Sequence, residues 1–403
     1  MKIVIAPDSF KESLPAAQVA AALGEGVLEV CPDAQVDLCP MADGGEGVLE
    51  AMVAATNGRV LTSDTFGPLG EPMRAHFGML GQATAAGLPG ELGVAGALGR
   101  ADSFDEAPGE GRAAVVETAA ACGLALVRPD RRDPTRTTTF GAGKLLLAAL
   151  DTGSREIIVG VGGSATVDGG CGCAQALGVT FLDAGGRACV CGLSGGGLMD
   201  VRDIDLSDRD PRIDDTVIRV ACDVTNPLTG PAGAAAVYAP QKGATPEQVE
   251  QLAAALEHLA EVIRRGAGVD VSDLPGGGAA GGLAAGLVAF LGAKIESGAD
   301  LVAAEVGLPG RLRGADLCLT GEGTLDAQSR NGKAACTVAR MALEAGAAVI
   351  CIPGQAATDA PRELFTGVRP LVDGDVTPRQ AMLHTADLLK RRAVETMRGF
   401  LGW

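Results

Sequence analysis

The sequence predicts an α/β protein of two domains, one assembled from both ends of the chain and the other inserted in its middle. Three observations carry this. Short strand-like runs empty Gly together with Asp, Glu or Lys into a loop that opens a helix, five or six times along the chain, which is how a parallel sheet with crossover helices reads in sequence. Near residue 60 that rhythm breaks, and both flanks resume it. The length of 403 residues suits roughly two to three domains. The expected division is 1–60 plus 290–403 for one domain and 61–289 for the other.

In chain order, residues 3–6 read as a buried strand that leads through Asp8, Ser9 and Lys11 into a helix from Ala16. Residues 36–41 form a second strand, opening into Ala42-Asp43-Gly44-Gly45-Glu46-Gly47 and a helix that runs to Ala55. Residues 62–80 suggest a hairpin or extended β segment. Residues 81–112, rich in Gly, Ala and acids, are expected to be a flexible surface insertion. A strand resumes at Val115, and Arg136 with Thr137, Thr138 and Thr139, just before a helix over 141–150, are either anion contacts or helix caps.

Residues 157–170, Ile-Ile-Val-Gly-Val-Gly-Gly-Ser-Ala-Thr-Val-Asp-Gly-Gly, are the most concentrated strand-loop-helix unit. Such a loop exposes backbone N–H groups and can aim a helix N-terminus at a phosphate, although close packing would also call for its glycines. Further strands are expected at 217–222, 315–319 and 347–352. Residues 246–263 form an amphipathic helix, 281–295 are the longest apolar helical stretch, and 377–400 form a helical tail.

Composition excludes several classes of function. The net charge of −17, from 50 acidic and 33 basic residues, argues against nucleic acid or an anionic membrane as partner. The longest apolar stretch falls short of a membrane span. Eleven cysteines, an odd number, read as small buried residues of a reducing compartment, and with no leader pattern at the N-terminus a cytoplasmic location is expected. Only three histidines occur, so a Ser-His-Asp hydrolase does not fit.

If the strand ends converge, they gather the carboxylates Asp8, Asp43, Glu46, Asp168, Asp223, Glu322 and Asp326, the lysines Lys11, Lys242 and Lys333, and the loop of Gly162, Gly163 and Ser164. That inventory fits phosphoryl transfer best. Such chemistry needs Mg²⁺ held by carboxylates, cations for the moving phosphate and a base for the acceptor hydroxyl, and it can dispense with imidazole. Asp8, Lys11, Asp43, Asp168, Asp223 and Lys242 are the expected catalytic groups. Gly162, Gly163, Ser164, Glu322, Asp326 and Lys333 are expected to bind the nucleotide, and Asp43, Glu46, Asp168 and Glu322 the metal.

The motifs also carry a specific resemblance. Ala6-Pro7-Asp8-Ser9-Phe10-Lys11-Glu12-Ser13-Leu14, the Ala42 to Gly47 turn, Gly162-Gly163-Ser164-Ala165-Thr166-Val167-Asp168-Gly169-Gly170, Cys222-Asp223-Val224-Thr225-Asn226-Pro227-Leu228, Pro240-Gln241-Lys242-Gly243-Ala244 and Thr320-Gly321-Glu322-Gly323 resemble the bacterial class I glycerate kinases, in the same order and nearly end to end. The resemblance implies ATP-dependent phosphorylation of D-glycerate, typically to 2-phosphoglycerate, with Mg²⁺. It also implies two α/β domains flanking a cleft, the one built from both chain ends being flavodoxin-like.

Three departures stand against the family pattern. Val167 replaces the usual Asn, Thr324 an Arg or Lys, and the turn around Gly332-Lys333-Ala334 lacks its frequent His and Pro. A kinase for another small hydroxy acid, or a catalytically silent nucleotide- or metabolite-binding regulator, are the alternative readings. Oligomeric state is left open.

Overall fold

A computed structural model describes residues 1–11, 13–45, 47–81, 113–330 and 332–402. Glu46 and most of the expected insertion, residues 82–112, lie outside the described residues. The protein is α/β, and its chain divides into two compact units: Met1–Gly58 with the chain from Ser297 onward, and Arg59–Leu80 with the chain up to Glu296.

The first unit is built on a five-stranded sheet in the order Gly367–Val368, Ala348–Cys351, Leu317–Thr320, Lys2–Ile5, Gln35–Leu38, with every neighbouring pair parallel. Ile3, Val4 and Ile5 are all fully buried, as is usual for a parallel strand covered on both faces. Ile3, Ile5, Leu317 and Leu319 pack with Val19 and Leu23 of the helix Ala16–Val30 and with Leu389 and Met397 of the helix Thr385–Leu401.

The order of this sheet places the site. From Lys2–Ile5 the chain crosses to Gln35–Leu38 on one side, whereas Leu317–Thr320 lies on the other side and later strands continue outward from it. The crossovers that leave Lys2–Ile5 and Leu317–Thr320 therefore diverge, and a crevice opens at their C-terminal ends, where open α/β sheets bind ligands. The loops there begin at Ala6 and at Gly321. The backbone N–H of Asp8 donates to Gly321 O at 2.8 Å, so the two loops are tied together.

The second unit carries a six-stranded sheet in the order Lys294–Glu296, Val217–Ala221, Glu156–Gly160, Ala113–Glu117, Pro72–Met79, Arg59–Phe66. The first four strands run parallel, and the last two form an antiparallel hairpin at the edge. Ile157, Val159, Phe77, Leu145, Phe181 and Phe290 lie in its core.

Two expected elements come out differently. The stretch 281–295 is not one helix. Gly292 adopts a left-handed backbone (φ 66°) and ends the helix Leu283–Leu291, after which Lys294–Glu296 joins the sheet as an edge strand. Arg219 bonds Glu296 across that pair, an interaction that apolar periodicity does not register. The tail at 377–400 is two helices, Pro378–Leu383 and Thr385–Leu401, because His384 leaves helical geometry between them. Among the described residues no helix is long and apolar enough to cross a membrane.

Candidate active site

A cavity of about 280 Å³ opens in the first unit where the strands Lys2–Ile5 and Leu317–Thr320 end. Asp8, Lys11, Asp43, Glu322 and Lys333 reach it from four loops. Asp8 and Glu322 are each only 5% exposed. Burial, with the Asp43 charge beside it, pushes the Asp8 carboxyl up to about 8. Burial likewise lifts Glu322 to about 7, against the opposing pull of Lys333. Oε1 of Glu322 is buried without a hydrogen-bond partner. A buried carboxylate oxygen with no donor is costly when charged, and burial accordingly favours the protonated form of Glu322.

The cations are held close without being consumed. Lys11, two-thirds exposed, lies 3.9 Å from Asp43. Lys333 stands 3.7 Å from Glu322 and 3.6 Å from Asp326. It occupies the N-cap of the helix Ala334–Glu344, where the helix dipole disfavours a cation. The two carboxylates account for its place there. Among the described residues no group of three or more His, Cys, Asp or Glu is placed to hold a metal ion. Mg²⁺ is ordinarily held by one or two carboxylates plus substrate phosphates and water. Glu322, with its orphan oxygen, and Asp43 fit that demand.

The second unit presents a different arrangement. Ser164 and everything from Ala165 to Gly170 is buried, and only Gly162 and Gly163 form an open tip. The glycines of the buried half serve packing. A Cβ on Gly281 would stand 1.9 Å from Thr166 O, and one on Gly286 2.4 Å from Gly169 O, so two backbones run in direct contact. The helix Cys171–Ala176 is not free to receive a phosphate, because the N–H groups of Gly170 and Gly172 already donate to Asp168.

Asp168 is fully buried and accepts four hydrogen bonds, the other two from the N–H and hydroxyl of Thr139 at 2.7 and 2.8 Å. Thr139 precedes the helix Phe140–Asp151, so one carboxylate caps the first turns of two helices. Burial raises its pKa while these four donors oppose the rise. The neighbouring threonines are also spent internally, since Thr137 donates to Ala165 O and Thr138 N–H to Pro68 O.

Lys242 is 3% exposed, and its ammonium donates to Ser164 Oγ at 2.9 Å and to Thr166 O at 2.8 Å. Burial lowers its pKa to about 8. Asp223 follows the strand Val217–Ala221 and is half-buried. The expected residues thus form two groups: Asp8, Lys11, Asp43, Glu322, Asp326 and Lys333 in the first unit, and Gly162, Gly163, Ser164, Asp168, Asp223 and Lys242 in the second.

A sequence profile described as the Glycerate kinase family matches residues 3–401 of this chain. The chain belongs to that family. It is 46% identical over 359 residues to a glycerate 2-kinase of Escherichia coli K12, covering 89% of this chain and 86% of that one. It is 42% identical over 396 residues to a glycerate kinase of Bacillus subtilis 168, covering 98% and 96%. A crystal structure of a protein assigned as glycerate kinase 2, from Salmonella typhimurium LT2, superposes with a TM-score of 0.83 at 42% identity, covering 100% of this chain and 98% of the other. This glycerate kinase family member is accordingly an enzyme of the kinase class, as the motifs imply.

Sequence reasoning missed the apolar part of the cavity lining. Leu371, Val372, Pro378, Ala381 and Met382 line it together with the acids. No motif marks them, because apolar residues near a helix start read as ordinary core. Thr139, the partner of Asp168, was legible only as one of a run of threonines.

Proposed function

We propose that this glycerate kinase family member transfers the terminal phosphoryl group of ATP to D-glycerate and releases 2-phosphoglycerate, in the cytoplasm. The observation that carries the reading is the meeting of three carboxylates and two lysines at the divergence point of an all-parallel sheet. Lys11 and Lys333 meet phosphate oxygens, and Asp43 and Glu322 hold Mg²⁺. When bound, the ion offsets phosphate charge and fixes the transferring group for in-line attack. Asp8, beside them, accepts the proton of the attacking hydroxyl, and Asp326 orients Lys333. Glu46 remains a proposed metal ligand on its sequence context alone.

In the second unit the N–H groups of Gly162 and Gly163 and the hydroxyl of Ser164 contact an anionic group of substrate or nucleotide. Lys242 already donates to Ser164 Oγ, which leaves the hydroxyl hydrogen free to point at that anion. Asp168 serves this loop by positioning it, and Asp223 is a substrate contact.

The test is ADP release measured with ATP, Mg²⁺ and a panel of acceptors: D-glycerate, L-glycerate, glycolate, lactate and tartronate. D-Glycerate should exceed the others in kcat/KM by at least ~10²-fold, since a site built to bond a hydroxyl rejects analogues that lack or misplace it. A preferred acceptor other than D-glycerate would replace the substrate named here, and no turnover with any of them would remove the kinase reading.

A further inference from the structure

The cavity in the first unit has two chemically unlike halves. Asp8, Asp43, Glu322, Lys11 and Lys333 make one. The other is largely apolar: Leu371 and Val372 from one turn, and Pro378, Ala381 and Met382 from the helix Pro378–Leu383, with Thr385 beside them. Thr377 caps that helix with a reciprocal capping box to Gln380. Ser13 then fastens it to the loop that carries Lys11, with its hydroxyl donating to Met382 O at 3.1 Å and meeting that of Thr385. The apolar wall and the charged half are therefore parts of one frame.

Glycerate carries an oxygen on every carbon and has no apolar face to offer such a wall. A nucleotide matches both halves, with a flat, weakly solvated base at one end and a polyphosphate at the other. Met382 lines the cavity and is about half exposed (52%), so its flexible thioether is open to a ligand there.

We infer that the wall of Leu371, Val372, Ala381 and Met382 is the nucleobase subsite of this enzyme, placing the base against the C-terminal helices and the phosphates toward Lys11 and Lys333. The inference rests on the kinase reading above, and it names which end of the cavity takes which end of the nucleotide. The base lies between the Leu371–Val372 turn and the Met382 side chain.

The experiment compares wild type with Met382→Ala, Val372→Ala and the double variant. Met382 is on the surface, so its truncation spares the core, and thermal melting confirms folding of the Val372 variants. Each substitution should raise KM for ATP and weaken binding of a ribose-labelled fluorescent ADP about fivefold, multiplying in the double variant, while KM for glycerate stays within twofold. Inorganic tripolyphosphate, which has no base, should inhibit all four proteins equally. A rise in KM for glycerate with ATP unaffected would give the wall to the acceptor and overturn the assignment. Unchanged constants for every ligand, or loss of tripolyphosphate inhibition in parallel with ATP, would overturn it too. If wild type binds the fluorescent ADP at this wall yet phosphorylates no hydroxy acid, the kinase reading fails while the subsite stands.

Discussion

The ammonium of Lys242 lies 2.9 Å from the hydroxyl oxygen of Ser164, inside a unit where burial has brought its pKa from 10.5 to about 8. Cys122 and Asp168 are the titratable groups whose charge it feels. A lysine whose folded pKa is depressed is held less tightly by its proton in the native state than in the unfolded chain. The resulting penalty is fully present below about pH 8 and fades as pH rises toward 10.5. Lys242→Met keeps the length of the side chain and removes the charge. Thermal melts of the two proteins from pH 7 to 10 should therefore show wild type gaining on the variant across that window. A constant difference would mean that the lysine is not buried as described. The variant should also lose at least ~10²-fold in kcat/KM, the cost of unfastening a preorganised donor.

Asp168→Asn tests whether this acid holds the fold or touches the chemistry. All four of its partners are donors, and an amide would turn an N–H toward some of them. A loss of about 2–4 kcal/mol in urea unfolding is expected, the scale of leaving buried charge-assisted bonds unmade. Unchanged stability with turnover abolished would return Asp168 to direct contact with the reacting groups.

Gly281→Ala should be severely destabilising. Its φ of 69° penalises any side chain, and the new methyl would meet Thr166 O at 1.9 Å. Together these cost about 2–5 kcal/mol. A melting temperature within a degree or two of wild type would show that the two Gly-rich loops do not run in contact.

How much of this was legible in the sequence varies from residue to residue. The strands Lys2–Ile5 and Leu317–Thr320 announce themselves, because a short apolar run followed within three residues by a small residue and an acid has few other uses. Asp8 and Glu322 were accessible by the same token. The loop at 160–170 was half legible, since glycine is demanded equally by an anion cradle and by backbone contact, and the neighbours Gly281 and Gly286 decide between them. Two of the four donors to Asp168 belong to Thr139, 29 residues away, a contact that no local pattern encodes. Lys294–Glu296 was hidden because three residues are too few to show a period.

Glu322→Gln separates binding from folding in the first unit. The amide removes a buried charge that burial already makes costly, so the protein should be at least as stable as wild type. Turnover should fall ~10²–10³-fold, and the Mg²⁺ concentration for half-maximal rate should rise several-fold. Lys333→Met should lower kcat in similar measure without changing the Mg²⁺ requirement. If both variants keep normal kinetics, the cavity of the first unit is not where phosphoryl transfer happens.

The most direct measurement is identification of the product by phosphorus NMR after incubating the purified protein with D-glycerate, ATP and Mg²⁺. One ADP and one 2-phosphoglycerate should form for each ATP consumed. ADP and free phosphate without any phosphoglycerate, or 3-phosphoglycerate as the first product, would contradict the proposed reaction.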